Sequence, residues 1–203
     1  MLARLMGFFL LGLIRILTGS QARWYGCPPK AEQRIYFANH QSHADLVLIW
    51  AALPQDLRAL TRPIAARDYW TKTPLRQWIT TEVFHAIYVS RERTADQDPL
   101  EPLIEALEQG DSIILFPEGT RGNAEEPQAF KAGLFNLARK FPGVVLVPTW
   151  IANVQRVMPK GEVVPVPVLC SVTFGAPLRV EEGEDRRVFL ERARAAVIGL
   201  RDI

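Results

Sequence analysis

In the segment Asn39-His40-Gln41-Ser42-His43-Ala44-Asp45, a histidine is followed five residues later by an aspartate. Across a turn into a helix, that spacing lets the carboxylate hold one imidazole nitrogen as a donor. The other nitrogen is then free to take a proton from an alcohol. The carboxylate also stabilises the imidazolium that results. On spacing alone a plainer reading fits equally well, with Asp45 capping its helix and His40 a polar surface residue.

Rival chemistries find less support. The zinc hydrolase pattern His-x-His-x-Asp-His needs its first two histidines two apart and another at position 46. Here His40 and His43 are three apart, position 46 is Leu46, and His85 is the remaining histidine. No Gly-x-Ser-x-Gly marks a serine nucleophile. Cys27 and Cys170 have neither metal-ligand spacing nor a motif that would pair either with His40. They read as structural, in a reducing, cytosolic setting. No Gly-x-x-x-x-Gly-Lys or Gly-x-Gly-x-x-Gly loop occurs, and no cofactor is implied.

A second group is Phe116-Pro117-Glu118-Gly119-Thr120-Arg121, directly after an apolar run. Such a turn can present a carboxylate and a guanidinium to an acceptor carrying both a hydroxyl and a phosphate. As a lone motif it also reads as a surface turn with a local salt bridge. Phe130-Lys131-Ala132-Gly133 opens the next helix. A strand ending in Arg91 and an arginine-rich stretch around Arg67 complete the set, although solvated helix faces explain most of those arginines.

Alternating elements must position these residues. Strands are expected at 34–38, 57–61, 86–90, 112–116, 144–152 and 167–174. Helices are expected at 45–53, 99–109, 133–141 and 184–200, with short helical pieces within 62–78. Gly26 to Pro29 reads as a turn. This alternation predicts a single α/β domain with a largely parallel or mixed sheet flanked by helices, plus an N-terminal apolar helix. Both chemically loaded segments begin at the carboxyl ends of strands, where ligands bind in such sheets.

The chain has 203 residues, 48% of them hydrophobic and 23% charged, which suits one compact domain. A formal net charge of +2 gives no argument for nucleic acid. The N-terminus differs from the rest. Leu5 to Ile14 is apolar, Arg4 and Arg15 bracket it, and no acidic residue precedes Glu32. The run is well short of the roughly twenty residues that span a bilayer. Arg4, Arg15 and Thr18 fall within about 60° of one another on a helix, with Phe8 and Leu11 also on that stripe. We expect residues 1–24 to form a membrane-interface helix with this stripe outward, and residues 25–203 to form the α/β domain. A core-packing helix is the main alternative. A cleaved leader is disfavoured because Arg15 interrupts the apolar region.

Together the motifs resemble those of the glycerolipid acyltransferase family, the lysophosphatidate (1-acylglycerol-3-phosphate) acyltransferases and their relatives. The family's His-x-x-x-x-Asp block matches His40 to Asp45, and its Phe-Pro-Glu-Gly-Thr-Arg block is intact at Phe116 to Arg121. Arg67 to Pro74 resembles the family's Lys-x-x-Leu-x-x-x-Pro, with arginine for lysine and Trp70 for leucine. His85 to Arg91 resembles Gly-x-x-Phe-Ile-x-Arg, with His85 for glycine, Tyr88 for phenylalanine and Val89 for isoleucine. Val147-Pro148 resembles a later Val-Pro block.

The resemblance covers residues 35 to 150. It implies direct transfer from an acyl thioester, on coenzyme A or acyl carrier protein, to the sn-2 hydroxyl of lysophosphatidate, giving phosphatidate. The alternatives are the same chemistry on glycerol 3-phosphate or another lysolipid, and a non-catalytic lipid-binding protein of the same fold. It implies His40 as general base and Asp45 as its orienting partner. Glu118, Gly119, Thr120 and Arg121 would bind the acceptor, and Arg91 would help with phosphate. Arg67 would stabilise oxyanion charge or hold phosphate. His43 falls at a variable position and is expected to be non-catalytic. His85 adds bulk where the family has none, which bears on the acceptor. The family also implies work at a membrane surface, on the cytoplasmic face and in bacteria at the inner membrane.

Overall fold

The computed structural model describes residues 2–19, 21–42, 44–90, 98–122, 126–153 and 169–203. It places seven strands in one mixed sheet. In chain order these are β1 (Gln21–Trp24), β2 (Arg34–Ala38), β3 (Thr61–Ala66), β4 (Ile87–Val89), β5 (Ser112–Leu115), β6 (Val145–Ala152) and β7 (Ser171–Phe174). The spatial order is β1-β7-β6-β2-β5-β3-β4. β6, β2, β5, β3 and β4 run parallel. β7 is antiparallel to β6, and β1 is parallel to β7. The helices are α1 (Leu2–Thr18), α2 (Asp45–Ala52), α3 (Gln55–Ala59), α4 (Arg67–Trp70), α5 (Pro74–Trp78), α6 (Glu101–Glu108), α7 (Gly133–Lys140) and α8 (Arg186–Ile198). A π-helical turn, Ile79–Val83, continues α5.

All five residues of the central strand β2 are buried. Alternate side chains enter opposite layers, as strand pleating requires. Tyr36 and Ala38 join Ile114, Val147 and Phe174 beneath α2. Ile35 and Phe37 join Leu103, Leu134 and Phe189, from α6, α7 and α8. A strand covered on both faces reads as a continuous apolar run, which is why β2, β5 and β6 were visible in the sequence.

Two expectations need correction. Leu57 lies in helix α3, and the strand starts only at Thr61. Pro63 discouraged a strand reading there. Yet Thr61 to Pro63 pair with β5 and Ile64 to Ala66 pair with β4. Pro63 therefore sits where one ladder hands over to the next, and its missing N–H disrupts little. The expected helix over residues 1–24 ends at Thr18, and Gln21–Trp24 form strand β1. It is a short, mostly exposed edge strand with no apolar alternation to betray it.

The N-terminal segment is joined closely to the rest. β1 belongs to the sheet, so a boundary after Trp24 would fall at the end of a strand. Ala3, Met6, Leu10, Leu11 and Ile14 of α1 pack against the core layer that contains α2 and Val83. A Cβ added at Gly7 would meet Val83 Cγ1 at 3.4 Å, so helix and π turn lie in close contact. The opposite side of α1 is also apolar and lies open. Phe8, Phe9 and Ile16 are 64%, 63% and 82% exposed, with Leu2, Leu5 and Leu13 beside them. Arg4 and Arg15 are exposed while Thr18 is buried, so the expected polar stripe runs along the flank of the helix. No helix among the described residues is long and apolar enough to cross a membrane.

Candidate active site

The carboxyl ends of β2, β5, β3 and β4 share one edge of the sheet, because these strands are parallel and in register. His40 follows β2 by two residues, Glu118 follows β5 by three, Arg67 directly follows β3, and Ser90 follows β4. Residue 39 makes the launch from β2 rigid. Asn39 is buried, its Nδ2 donates to Ile151 O at 3.1 Å, and its Oδ1 accepts from Ile151 N at 2.8 Å. A side-chain amide thus extends the β2–β6 pairing by one step beyond Ala38.

His40 is then held on every side. Its Nδ1 lies 2.9 Å from Asp45 Oδ2. The same carboxylate oxygen accepts from the main-chain N–H groups of Gln41 (2.6 Å) and Ser42 (2.8 Å). Asp45 therefore does not cap its helix; it gathers the preceding loop around itself. At 1% exposure it is shielded from water, which strengthens each of these bonds. The imidazole stacks on Phe116, with ring centroids 4.2 Å apart and planes 17° apart. With Nδ1 committed to Asp45, Nε2 is the nitrogen left for chemistry.

The main chain of His40 is fixed by the second motif. Its N–H donates to Glu118 Oε1 at 2.7 Å, and its carbonyl accepts from Gly122 N at 2.8 Å. Glu118 Oε2 accepts from Gln128 N at 2.8 Å. Both carboxylate oxygens are thus occupied by main-chain amides, in a residue only 2% exposed. Burial pushes the Glu118 carboxyl above its ordinary 4.5, although the amides and His40 oppose the shift. The two motifs read as separate units in the sequence are one clasp in space.

His40 lines a cavity of about 410 Å³. Thr120, Ser90 and Lys131 supply its polar wall with Gly119, while Ile64, Val89, Leu100, Leu103, Leu115 and Leu134 supply an apolar one. Of the other expected binding residues, those that are described sit outside the lining or turn away from it. Glu118 is behind the wall, and the Gly119 N–H closes the turn onto Phe116 O at 3.0 Å. Arg121 is exposed and outside the lining. Arg67 is exposed too, its guanidinium 5.8 Å from the Tyr88 ring centroid. Arg91 and His43 lie outside the described residues. Lys131, noted in the sequence only as a helix opening, is a wall residue. Its position two residues before Gly133, on the return from the Glu118 turn, was the available signal.

His85 is exposed and is not among the described residues that line the cavity. Its φ is +49°, in the left-handed region that glycine adopts at least cost. The cysteines are buried, and burial raises both thiols, Cys170 to about 11 with the Asp45 charge adding to the effect. Neither is a thiolate at neutral pH.

Residues 27–152 match the family model described as Acyltransferase, and the chain belongs to that family. It is 29% identical to a 1-acyl-sn-glycerol-3-phosphate acyltransferase of Chlamydomonas reinhardtii, over 66% of this chain and 39% of that protein. It is 30% identical to 1-acyl-sn-glycerol-3-phosphate acyltransferase alpha of Homo sapiens, over 63% of this chain and 43% of that protein. The chain spans less than half the length of these relatives. In fold it is similar to the crystal structure of the 1-acyl-sn-glycerophosphate acyltransferase of Thermotoga maritima. That likeness has a TM-score of 0.70 at 23% identity, covering 98% of this chain and 78% of that one.

Proposed function

We propose that the protein is an O-acyltransferase that moves a fatty acyl group from an acyl thioester to the sn-2 hydroxyl of lysophosphatidate, forming phosphatidate. The donor is acyl-coenzyme A or acyl carrier protein. The observation that carries this reading is the His40–Asp45 pair, 2.9 Å apart, on the wall of a cavity lined by both polar and apolar side chains. A phosphorylated lipid has both kinds of surface.

His40 Nε2 takes the proton of the acceptor hydroxyl as its oxygen attacks the thioester carbonyl. Asp45 stabilises the imidazolium formed. The tetrahedral intermediate collapses, the carbon–sulfur bond breaks, and the imidazolium returns the proton to the departing thiolate. No acyl-enzyme is needed, in keeping with two buried cysteines that stay protonated.

The proposed site of action is the cytoplasmic surface of a membrane, in bacteria the inner one; the outer face of α1 supports the membrane contact itself. Its exposed apolar side chains would enter the headgroup boundary while Arg4 and Arg15 meet lipid phosphates. In this reading the exposed face of α1 meets lipid, while β1 and the core-facing side of α1 belong with residues 25–203, which carry the chemistry.

The test is acyl transfer from both thioester donors to a panel of acceptors: lysophosphatidate, glycerol 3-phosphate and other lysolipids. Turnover highest with lysophosphatidate, and abolished in His40→Ala, is expected. Full activity of His40→Ala would overturn the mechanism. A preference for another acceptor would keep the chemistry and replace the substrate.

A further inference from the structure

Lys131 stands in the cavity wall through an arrangement that two separate segments build. Its main-chain N–H donates to Pro117 O at 2.9 Å, which ties the start of α7 to the turn after β5. The preceding Phe130 is buried and packs edge-on against Phe37 of β2, with centroids 6.3 Å apart. The side chain then runs back across the Glu118-Gly119-Thr120 turn. A Cβ placed on Gly119 would lie 2.5 Å from Lys131 Nζ and 2.9 Å from its Cδ. Gly119 also has φ +69°, so glycine is required there twice: for its backbone and for the lysine stem above it.

The charge balance of the wall points to a ligand. Among the described lining residues Lys131 and His40 are the basic groups, and there is no carboxylate. No hydrogen bond or ion pair among the described residues engages the Lys131 ammonium. Of the arginines expected to bind phosphate, Arg67 and Arg121 stand outside this lining, and Arg91 lies outside the described residues. In an acceptor of the class proposed above, the reacting hydroxyl and the phosphate sit on neighbouring carbons. The base and the phosphate-binding cation must therefore share one wall.

We propose that Lys131, laid across Gly119, binds the phosphate of the acceptor. This inference rests on the acceptor class proposed above. A lysine offers a point charge with three rotatable donors, which suits a phosphate monoester that must settle as its neighbouring hydroxyl reacts.

The experiment uses the full chain with phospholipid vesicles. Lys131→Met keeps the stem and removes the charge. Its KM for lysophosphatidate should rise roughly 10- to 100-fold, the range expected for a lost charge-assisted hydrogen bond. Its kcat and thermal midpoint should stay near those of the wild type, and Lys131→Arg should recover most of the affinity. An unchanged KM, or a loss confined to kcat, overturns the assignment. Calorimetric binding of glycerol 3-phosphate to wild type and Lys131→Met separates the two levels. If the wild type fails to acylate lysophosphatidate yet binds glycerol 3-phosphate through Lys131, the acceptor identity falls and the phosphate site stands. If the variant binds it as well as the wild type, the phosphate site falls.

Discussion

The Glu118 carboxylate accepts the main-chain N–H of His40 at 2.7 Å, so the second motif holds the first in place. A glutamate expected to face substrate instead faces the backbone of the histidine. Glu118→Gln replaces one acceptor oxygen with a donor that cannot serve the amide opposite it. The lost bond to a charge costs about 1.5–3 kcal/mol, but the variant no longer buries a charge, which offsets much of it. We expect stability to change by no more than about 1 kcal/mol while kcat falls roughly tenfold or more, since small misplacement of a base is expensive in rate. Urea unfolding and steady-state kinetics check both.

The same residue gives a pH dependence. Burial raises the Glu118 carboxyl above 4.5, so the native state holds that proton more tightly than the unfolded chain. Its contribution to stability is then complete below 4.5 and is lost as pH rises through the folded value. Wild type should therefore gain stability relative to Glu118→Gln as pH is lowered through that window. A gap between the two that is constant from neutral pH to pH 4 would contradict the raised value.

Asp45→Asn keeps an oxygen for the loop amides but loses the charge that, in the proposed mechanism, steadies the imidazolium. We expect kcat to fall by about 10²–10⁴ with KM little changed. Equal turnover by wild type and variant would remove Asp45 from the mechanism.

At position 85 a non-glycine residue holds φ +49° and is exposed. His85→Gly should stabilise the protein by about 1 kcal/mol and leave acceptor preference unchanged. Thermal unfolding and the acceptor panel measure the two effects, and an altered preference would return His85 to the binding site.

Helix α1 has two apolar faces, one packed on the core and one exposed, and their proposed roles can be separated. Leu10→Ala, on the core side, should cost roughly 1–3 kcal/mol of stability. Phe9→Gln with Ile16→Gln, on the open side, should leave stability unchanged and weaken binding to anionic vesicles. Removal of the whole helix would uncover the core beneath it, so vesicle binding is better tested by these substitutions than by truncation.

Much of this was legible in the sequence because burial on both faces writes β2, β5 and β6 as apolar runs. The stops after them, at Asn39 and Phe116, mark where chemistry begins. The His40–Asp45 contact was readable from spacing. What stayed hidden depended on partners remote in sequence. β1 shows no pattern of its own and exists because β7 pairs with it. β3 was masked by Pro63, whose tolerance depends on a change of neighbouring strand. Nothing local to Glu118 reveals that the amides of His40 and Gln128 converge on it. Lys131 reaches the cavity only because the chain returns over Gly119.

The paired hydrogen bonds between Asn39 and Ile151 carry a consequence for motion. They make the residue before His40 part of the sheet, so displacing the histidine means parting β2 from β6 at the centre of the fold. The Ile151 amide should exchange its hydrogen only on opening near the global unfolding free energy. The start of the loop that carries His40 is therefore as still as the core itself.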